Sequence, residues 1–485
     1  MGVGFSYDSL NYYINKKIVK YWNRVPDERK LEIHISKKYI KKIEKVKNKV
    51  AEIGCALDSY KKWYPATLSI QGKVDSVKIK LHGTSNLHFR GPFQSYKVKP
   101  FDEDLPSFSL VQYSELPNGI SAVNNYAREM NLIAPRSTMV TLEVNNIPNI
   151  IYTKQERISD RNIQSFYGLQ SYLPIRLVSD FRKKNKIKHS GDFDFFQGSI
   201  KNLKKEGFNQ GALEFKKLIK TVEDSNSDSL KLFFDLDYMA NFMAFASLVN
   251  DVHFITGCNL KLLFDAKNNL FYPVFRSEKG VVDIHQDCIN NDGKTWTNFN
   301  SLLFNSAPYC DGSGTHEIFK LLLSNEAFRY HRDSLLFDYV KNKENGFQVL
   351  DSCFKSNKYM LKYHSWISDK EYCEEAARTA NHFNILLNYA ESYLGYGMIY
   401  LSYDAETNHS EIAVDAFVPY QIIGSSKKDT TFSSITFDRN LNRHFSIAKL
   451  DRSFGENLKE YSFINSITGD TLSKDRIHIN YISIK

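Results

Sequence analysis

The sequence predicts an α+β protein. Three observations point there: a strand-rich opening that runs to about residue 160, an apolar helical middle, and short alternating strands after Gly395. At 485 residues and 56.2 kDa the chain exceeds what one core of roughly 250–300 residues holds, so at least one domain boundary is expected. Hydrophobic content of 42% with 25% charged residues is that of a globular protein rather than a disordered one.

Leu31-Glu32-Ile33-His34-Ile35 alternates as a strand, and the lysine-rich stretch after it reads as a helix of about four turns. Lys37, Lys38, Lys41, Lys42, Lys45, Lys47 and Lys49 interleave there with Ile40, Ile43, Val46 and Val50 at helical spacing. Much of the formal charge of +9 is therefore read as a solvated helix face. Ala66–Ile70, a Gln71-Gly72-Lys73 turn and Val77–Leu81 make a hairpin, and Tyr96-Lys97-Val98-Lys99 a further short strand. Ile120–Met130 suits a helix that ends before Pro135, because the residue preceding a proline is pushed out of the α region. Strands Thr138–Val144 and Ile150–Glu156 then bracket an Asn145-Asn146 turn.

Residues 229–250 are apolar on nearly all sides, which predicts a helix buried in a larger helical region, with more helices at 316–323, 326–342 and 369–393. Met398–Tyr403, Ser410–Pro419, Thr431–Phe437, Phe445–Leu450 and Ile477–Ile484 read as strands of a sandwich or small barrel, with a boundary near 396. Six cysteines, at 55, 258, 288, 310, 353 and 373, make no CxxC pair and no regular spacing, so reduced thiols are expected rather than zinc or disulfides. No run nears about 18 apolar residues and no secretory h-region opens the chain, so neither a membrane span nor a leader is expected. Met1–Ser6 fits the short N-myristoylation pattern, for which chance is the better account.

Three stretches carry a resemblance. The first pairs Leu81-His82-Gly83-Thr84-Ser85 with Gln94-Ser95-Tyr96-Lys97-Val98-Lys99. The second runs from Ala127 through Asn131-Leu132-Ile133-Ala134-Pro135-Arg136 to Val140–Val144, Asn145, Tyr152 and Glu156. The third holds Asn250-Asp251-Val252-His253, then Asn259-Leu260-Lys261, then Tyr272 to Glu278. Together, over roughly residues 31–280, they resemble the spore-coat-protein-H (CotH) kinase-like family. The chain departs from the family pattern where Asn131 and Asn146 replace glycines and where Arg276, with Glu278 after it, occupies the metal-binding segment.

The resemblance implies an atypical protein-kinase-like, two-lobed body with a C-terminal all-β module. Residues 1–30 would be an extension, 31–160 a strand-rich small lobe, 161–395 a mainly helical large lobe and 396–485 a β-sandwich-like module. It further implies transfer of phosphate from ATP to a protein or glycan hydroxyl. Lys97 or Lys99 would grip the phosphates with Glu156 as orienting carboxylate, Asp251 would orient or deprotonate the acceptor, and Asn259 and Glu278 would ligate magnesium. Read from the residues alone, Lys97 and Lys99 equally fit an exposed strand face, Asp251 a helix C-terminal loop and Asn259 a strand edge.

Arg276 opposes the metal: a guanidinium stays protonated, and at ~4 Å and an effective dielectric near 20 a unit charge repels another by about 4 kcal/mol, a divalent ion by about twice that. It would instead bind phosphate or a carboxylate in the metal's place, and a pseudokinase is the consequence if nothing compensates. The competing expectation is an inactive scaffold of the cell envelope whose Tyr400, Tyr403, Phe417, Tyr420, Phe432 and Phe437 stack on carbohydrate, against the plainer reading of these rings as core. Nucleic acid is not an expected partner, because the basic residues spread along helices. Compartment and oligomeric state are not legible in the sequence. The family resemblance points to the envelope or spore coat.

Overall fold

The computed structural model describes residues 29–53, 60–83, 94–102, 107–112, 118–157, 172–177, 198–199, 208–251, 260–277, 280–281, 287–289, 295–297, 317–358, 360, 369–404, 409–423, 430–432, 436–438, 443–450 and 461–482. They form a mixed α/β protein of several sheets with eight α-helices among the described residues.

Seven strands close into a barrel in the order β1-β2-β3-β4-β5-β7-β6. They are β1 (Lys30–His34), β2 (Tyr64–Ile70), β3 (Lys73–Leu81), β4 (Tyr96–Pro100), β5 (Phe108–Val111), β6 (Ser137–Val144) and β7 (Ile147–Glu156). Neighbours are antiparallel except β1 and β6, which run parallel. Alternation fills the inside: Leu31, Ile33, Val77, Ile79, Leu81, Tyr96, Val98, Phe108, Leu110, Val140, Leu142 and Tyr152 are one buried cluster. Helix α1 (Lys37–Ile53) adds Ile43 and Val50 to it and leaves six of its lysines exposed, while burial pulls the seventh, Lys47, below the usual lysine range. The solvated-face reading of this segment therefore holds.

Asparagines do the work of closure. Gln71 and Gly72 turn β2 into β3 with φ of 53° and 76°, and Asn145 and Asn146 turn β6 into β7 with φ of 53° and 63°. The Asn145 amide also clasps β1: its Oδ1 accepts from Ile35 N–H at 2.7 Å, and its Nδ2 donates to Ile35 O at 2.9 Å. Helix α2 (Asn118–Glu129) ends in a Schellman turn with Asn131 at φ 59° and Leu132 N–H on Ala127 O at 2.9 Å. Asn131 and Asn146 thus keep the left-handed conformation that glycine would readily supply.

Helices α3 (Phe208–Glu223), α4 (Leu236–Val249), α5 (Glu317–Ser324), α6 (Glu326–Lys341), α7 (Lys343–Asn357) and α8 (Asp369–Gly395) form the second core. Beside them lies a sheet ordered β11-β10-β8-β9, made of β8 (Tyr172–Leu177), β9 (Gly198–Ser199), β10 (Lys261–Asp265) and β11 (Leu270–Pro273). A pair, β12 (Asp287–Ile289) and β13 (Thr295–Thr297), follows in the chain. The helix expected over 229–250 is two pieces. A 3₁₀ turn at Asp228–Leu232 precedes α4, because extended Asp235 caps the new helix by accepting from Asp237 and Tyr238 N–H, both at 3.1 Å. Within α4, Met239, Ala240 and every residue from Phe242 to Val249 are buried.

After α8 come β14 (Gly397–Asp404), β15 (His409–Ala416), β16 (Tyr420–Ile423), β17 (Thr430–Phe432), β18 (Thr436–Asp438), β19 (Arg443–Leu450), β20 (Ser462–Asn465) and β21 (Ile477–Ile482). They build sheets ordered β18-β19-β15-β14-β21 and β17-β16-β20, so the single strand expected over 431–437 is two strands in different sheets. Ile399, Leu401, Ile412, Val414, Tyr420 and Phe463 bury into the same cluster as Tyr393 and Leu394 of α8. Phe417 stacks on Tyr393 with ring centroids 5.0 Å apart and Tyr420 is buried, so these two rings are core; the side chains of Tyr403, Phe432 and Phe437 lie outside the description. Of the extension at 1–30, residues 1–28 are likewise outside it.

Candidate functional site

Helix α2 is the joint between the barrel and the helical core. On one side Ser121 Oγ and Asn125 Nδ2 donate to Ser137 O at 2.8 and 3.0 Å, pinning the start of β6. On the other, Asn124 accepts from Ser277 N–H at 2.9 Å. Ser277, four residues past β11, donates its hydroxyl to Asp251 Oδ2 at 2.9 Å and accepts from Gly280 N–H at 2.9 Å. Both Asp251 and Ser277 have no exposed surface. A buried carboxylate is stable only when hydrogen-bonded, so these bonds, made at the turn where α4 ends in left-handed Asn250 (φ 51°), fix where Asp251 sits. The segment is kept tight by Gly280, where an added Cβ would come within 3.2 Å of the Gly119 backbone and where φ is +79°.

From Ser137 a row runs across the outer face of the barrel. Ser137 pairs with Gln155, Gln155 with Ser109, and Ser109 with Lys97. Three strand spacings put Lys97 about 14 Å from Ser137 along the sheet. Lys97 is half-buried and Lys99, next on the same face, is exposed. Directly opposite them on β3 stand Lys80 and Lys78, giving two facing lysine pairs. Lys80 Nζ rests 4.8 Å from the Trp63 ring centroid and Lys78 Nζ 4.7 Å from that of Phe101. Sequence reasoning missed Lys78 and Lys80. Their place in the alternation of Val77–Leu81 was visible, but the register that faces them with Lys99 and Lys97 was not.

Glu156 is placed otherwise than expected. It pairs with Phe108, an inward residue, and so lies on the opposite face of the sheet from Lys97 and Lys99. Its charge acts on Lys154 instead: burial pulls Lys154 below the usual lysine range, Glu156 opposes this and Arg136 adds to it. Lys154 Nζ lies 4.9 Å from the centroid of Phe108. Of the other expected residues, Arg276 is half-buried and adjoins Ser277, which brings it into the Asp251 segment, whereas Asn259, Glu278, His253 and His285 lie outside the described residues. Among the described residues no three His, Cys, Asp or Glu side chains come together to hold a metal ion. Nor, among them, is any helix long and apolar enough to cross a membrane.

No family model matches the chain, and no curated protein matches it. Among solved structures it is similar to a chain of the Shewanella oneidensis MR-1 toxin–antitoxin complex of HipA, HipB and its operator DNA. Identity is 14% and the TM-score 0.29, over 60% of this chain and 58% of that one. The match thus spans under two thirds of that chain's length.

Proposed function

We propose that the chain is an atypical phosphotransferase of the CotH kinase-like type, moving a phosphate from ATP to a protein or glycan hydroxyl across the joint between barrel and helical core. The observation that carries this reading is the hydrogen-bonded line from Asp251 through Ser277 and Asn124 to α2, and from Asn125 and Ser137 along the row to Lys97. Phosphoryl transfer needs positioned charge more than covalent chemistry. In this reading the lysines at 97 and 99, with those at 80 and 78, draw the phosphates to the outer barrel face. Asp251 orients the acceptor hydroxyl, and Arg276, beside Ser277, supplies positive charge where relatives would carry a metal ligand. Asn259 and Glu278 keep their proposed part in binding magnesium, the ion that would neutralise the phosphates. Residues 31–160 and 161–395 are then the two lobes and 396–485 an appended β module.

The full burial of Asp251 favours a second reading, a scaffold that retains the fold and has lost turnover. Incubation of the protein with γ-labelled ATP and magnesium or manganese separates the two. Incorporation that vanishes in Asp251→Asn supports the transferase. No incorporation under any condition, with label appearing in Arg276→Asp, makes it a pseudokinase, and none in either protein ends the phosphotransfer reading.

A further inference from the structure

A second site lies on the opposite flank of α2. A cavity of about 530 Å³ opens between the C-terminal end of α2, the first turns of α4 and helix α6, within the size range of small-molecule sites. Its nearest α4 residue, Asn241, precedes Asp251 by ten positions, about 15 Å along the helix axis. The phosphate-transfer reading does not use it.

Its lining has an unusual charge for a chain of net +9: Glu129, Asp237 and Asp338 contribute carboxylates, and among the described residues no lysine or arginine lines it. At the rim His331 Nε2 stands 3.1 Å from Asp237 Oδ1. In the wall Tyr126 is 3% exposed, its ring held edge-on by Phe245 and Phe383 at centroid distances of 5.0 and 6.1 Å. Among the described residues its hydroxyl makes no hydrogen bond, and Tyr126 lines the cavity, so that hydroxyl is open to a ligand there. That hydroxyl reaches so near α7 that only glycine fits at 346, where a Cβ would lie 2.8 Å from it. Tyr339 gives its proton to Asn241 Oδ1 at 2.6 Å and leaves its lone pairs to the cavity. Burial pushes both phenols well above their usual range; Glu129 adds to this for Tyr126, and Tyr126 for Tyr339, so both phenols stay neutral at pH 7.

Acceptors therefore predominate, and they are spread around the wall rather than gathered. No three of the described His, Cys, Asp or Glu side chains converge on a metal. We propose that this cavity binds an organic cation, an alkylammonium or guanidinium group, with Glu129 and Asp338 taking the charge, the Tyr126 hydroxyl a hydrogen bond, and Met130 and Leu335 the apolar stem. The group is either a free amine or the end of a basic side chain on a partner.

Calorimetric titration of the full chain tests this with agmatine and 1,4-diaminobutane as free cations and acetyl-Arg-Arg-Arg-amide as peptide. Saturable binding of at least one probe is expected, about ten-fold weaker in Asp338→Asn and weaker by several-fold in Tyr126→Phe. It should be unchanged in Asp351→Asn, an exposed carboxylate on α7. Tyr126→Phe keeps the ring and loses only an unpartnered hydroxyl, so its melting temperature should not fall. Binding of the amines alone identifies a small-molecule site, and binding of the peptide alone a docking site for a basic segment. No heat from any probe at millimolar concentration, or equal affinity in all three variants, overturns the proposal.

Discussion

Two fully buried aspartates sit in very different company. In the helical core Asp333 has its charge answered at once: Arg332 Nε donates to its Oδ1 at 2.6 Å, and Arg332 Nη2 donates to the Tyr393 hydroxyl at 3.1 Å, which reaches Asp333 Oδ2 at 3.3 Å. All three belong to α6 and α8. Asp251 instead takes a hydroxyl from Ser277, and through it joins the end of α4, the exit of β11 and helix α2. A closed ion pair secures one core. A carboxylate tied into three elements at their meeting point is where a charge can serve chemistry.

The largest effect that would break this contrast is Arg332→Met, which strands Asp333 and should cost about 3–5 kcal/mol of stability. Burial already pushes the Asp333 carboxyl above the usual range against the pull of Arg332 and Arg329. The folded state therefore holds its proton longer than the unfolded one, and stability falls as pH rises through the window from about 3.9 to the folded value. Without Arg332 that window extends upward, so denaturant melts at pH 5 and pH 8 should differ more in the variant than in the parent. Equal curves would mean that Asp333 is not an ion-pair aspartate.

Ser277→Ala comes next. It removes the Ser277 hydroxyl bonded to Asp251 Oδ2 and should cost about 1–3 kcal/mol, with a loss of phosphate incorporation beyond that of an equally destabilised core variant. A cost near zero would mean that the Ser277 hydroxyl does not hold Asp251 in place and would dissolve the comparison. The smallest effect belongs to the barrel face. Lys99→Gln relieves a directly facing like-charge pair with Lys78 and should stabilise by roughly 0.2–1 kcal/mol at low salt, a gain that disappears as salt is raised. Destabilisation at all salt concentrations would mean that the pair is not repulsive.

Much of this architecture was legible because it rests on local rules. Alternation located β1, β2, β3, β6 and β7, and the asparagines at 145 and 146 marked their turn before any φ value was known. Barrel closure was not legible, since it depends on β1 pairing in parallel with β6 across more than a hundred residues. Helix α7 was overlooked because Asn345 and Gly346 are poor helix formers. Gly346 is there for a tertiary reason, the close approach of Phe383 and Tyr126. In the site, Asp251 could be singled out and Arg276 placed near it. The face on which Glu156 lies, the part of Ser277, and the facing lysines at 78 and 80 all depended on register and long-range contacts that one sequence does not encode visibly.

Covalent labelling with an acyl-phosphate derivative of ATP, followed by peptide mapping, tests the barrel row most directly, since the reagent acylates lysines near bound phosphates. Label should concentrate on Lys97 and its neighbours at 80 and 99, and fall away with excess ATP. Label distributed evenly over the exposed lysines of α1, and indifferent to ATP, would contradict a nucleotide site on this face.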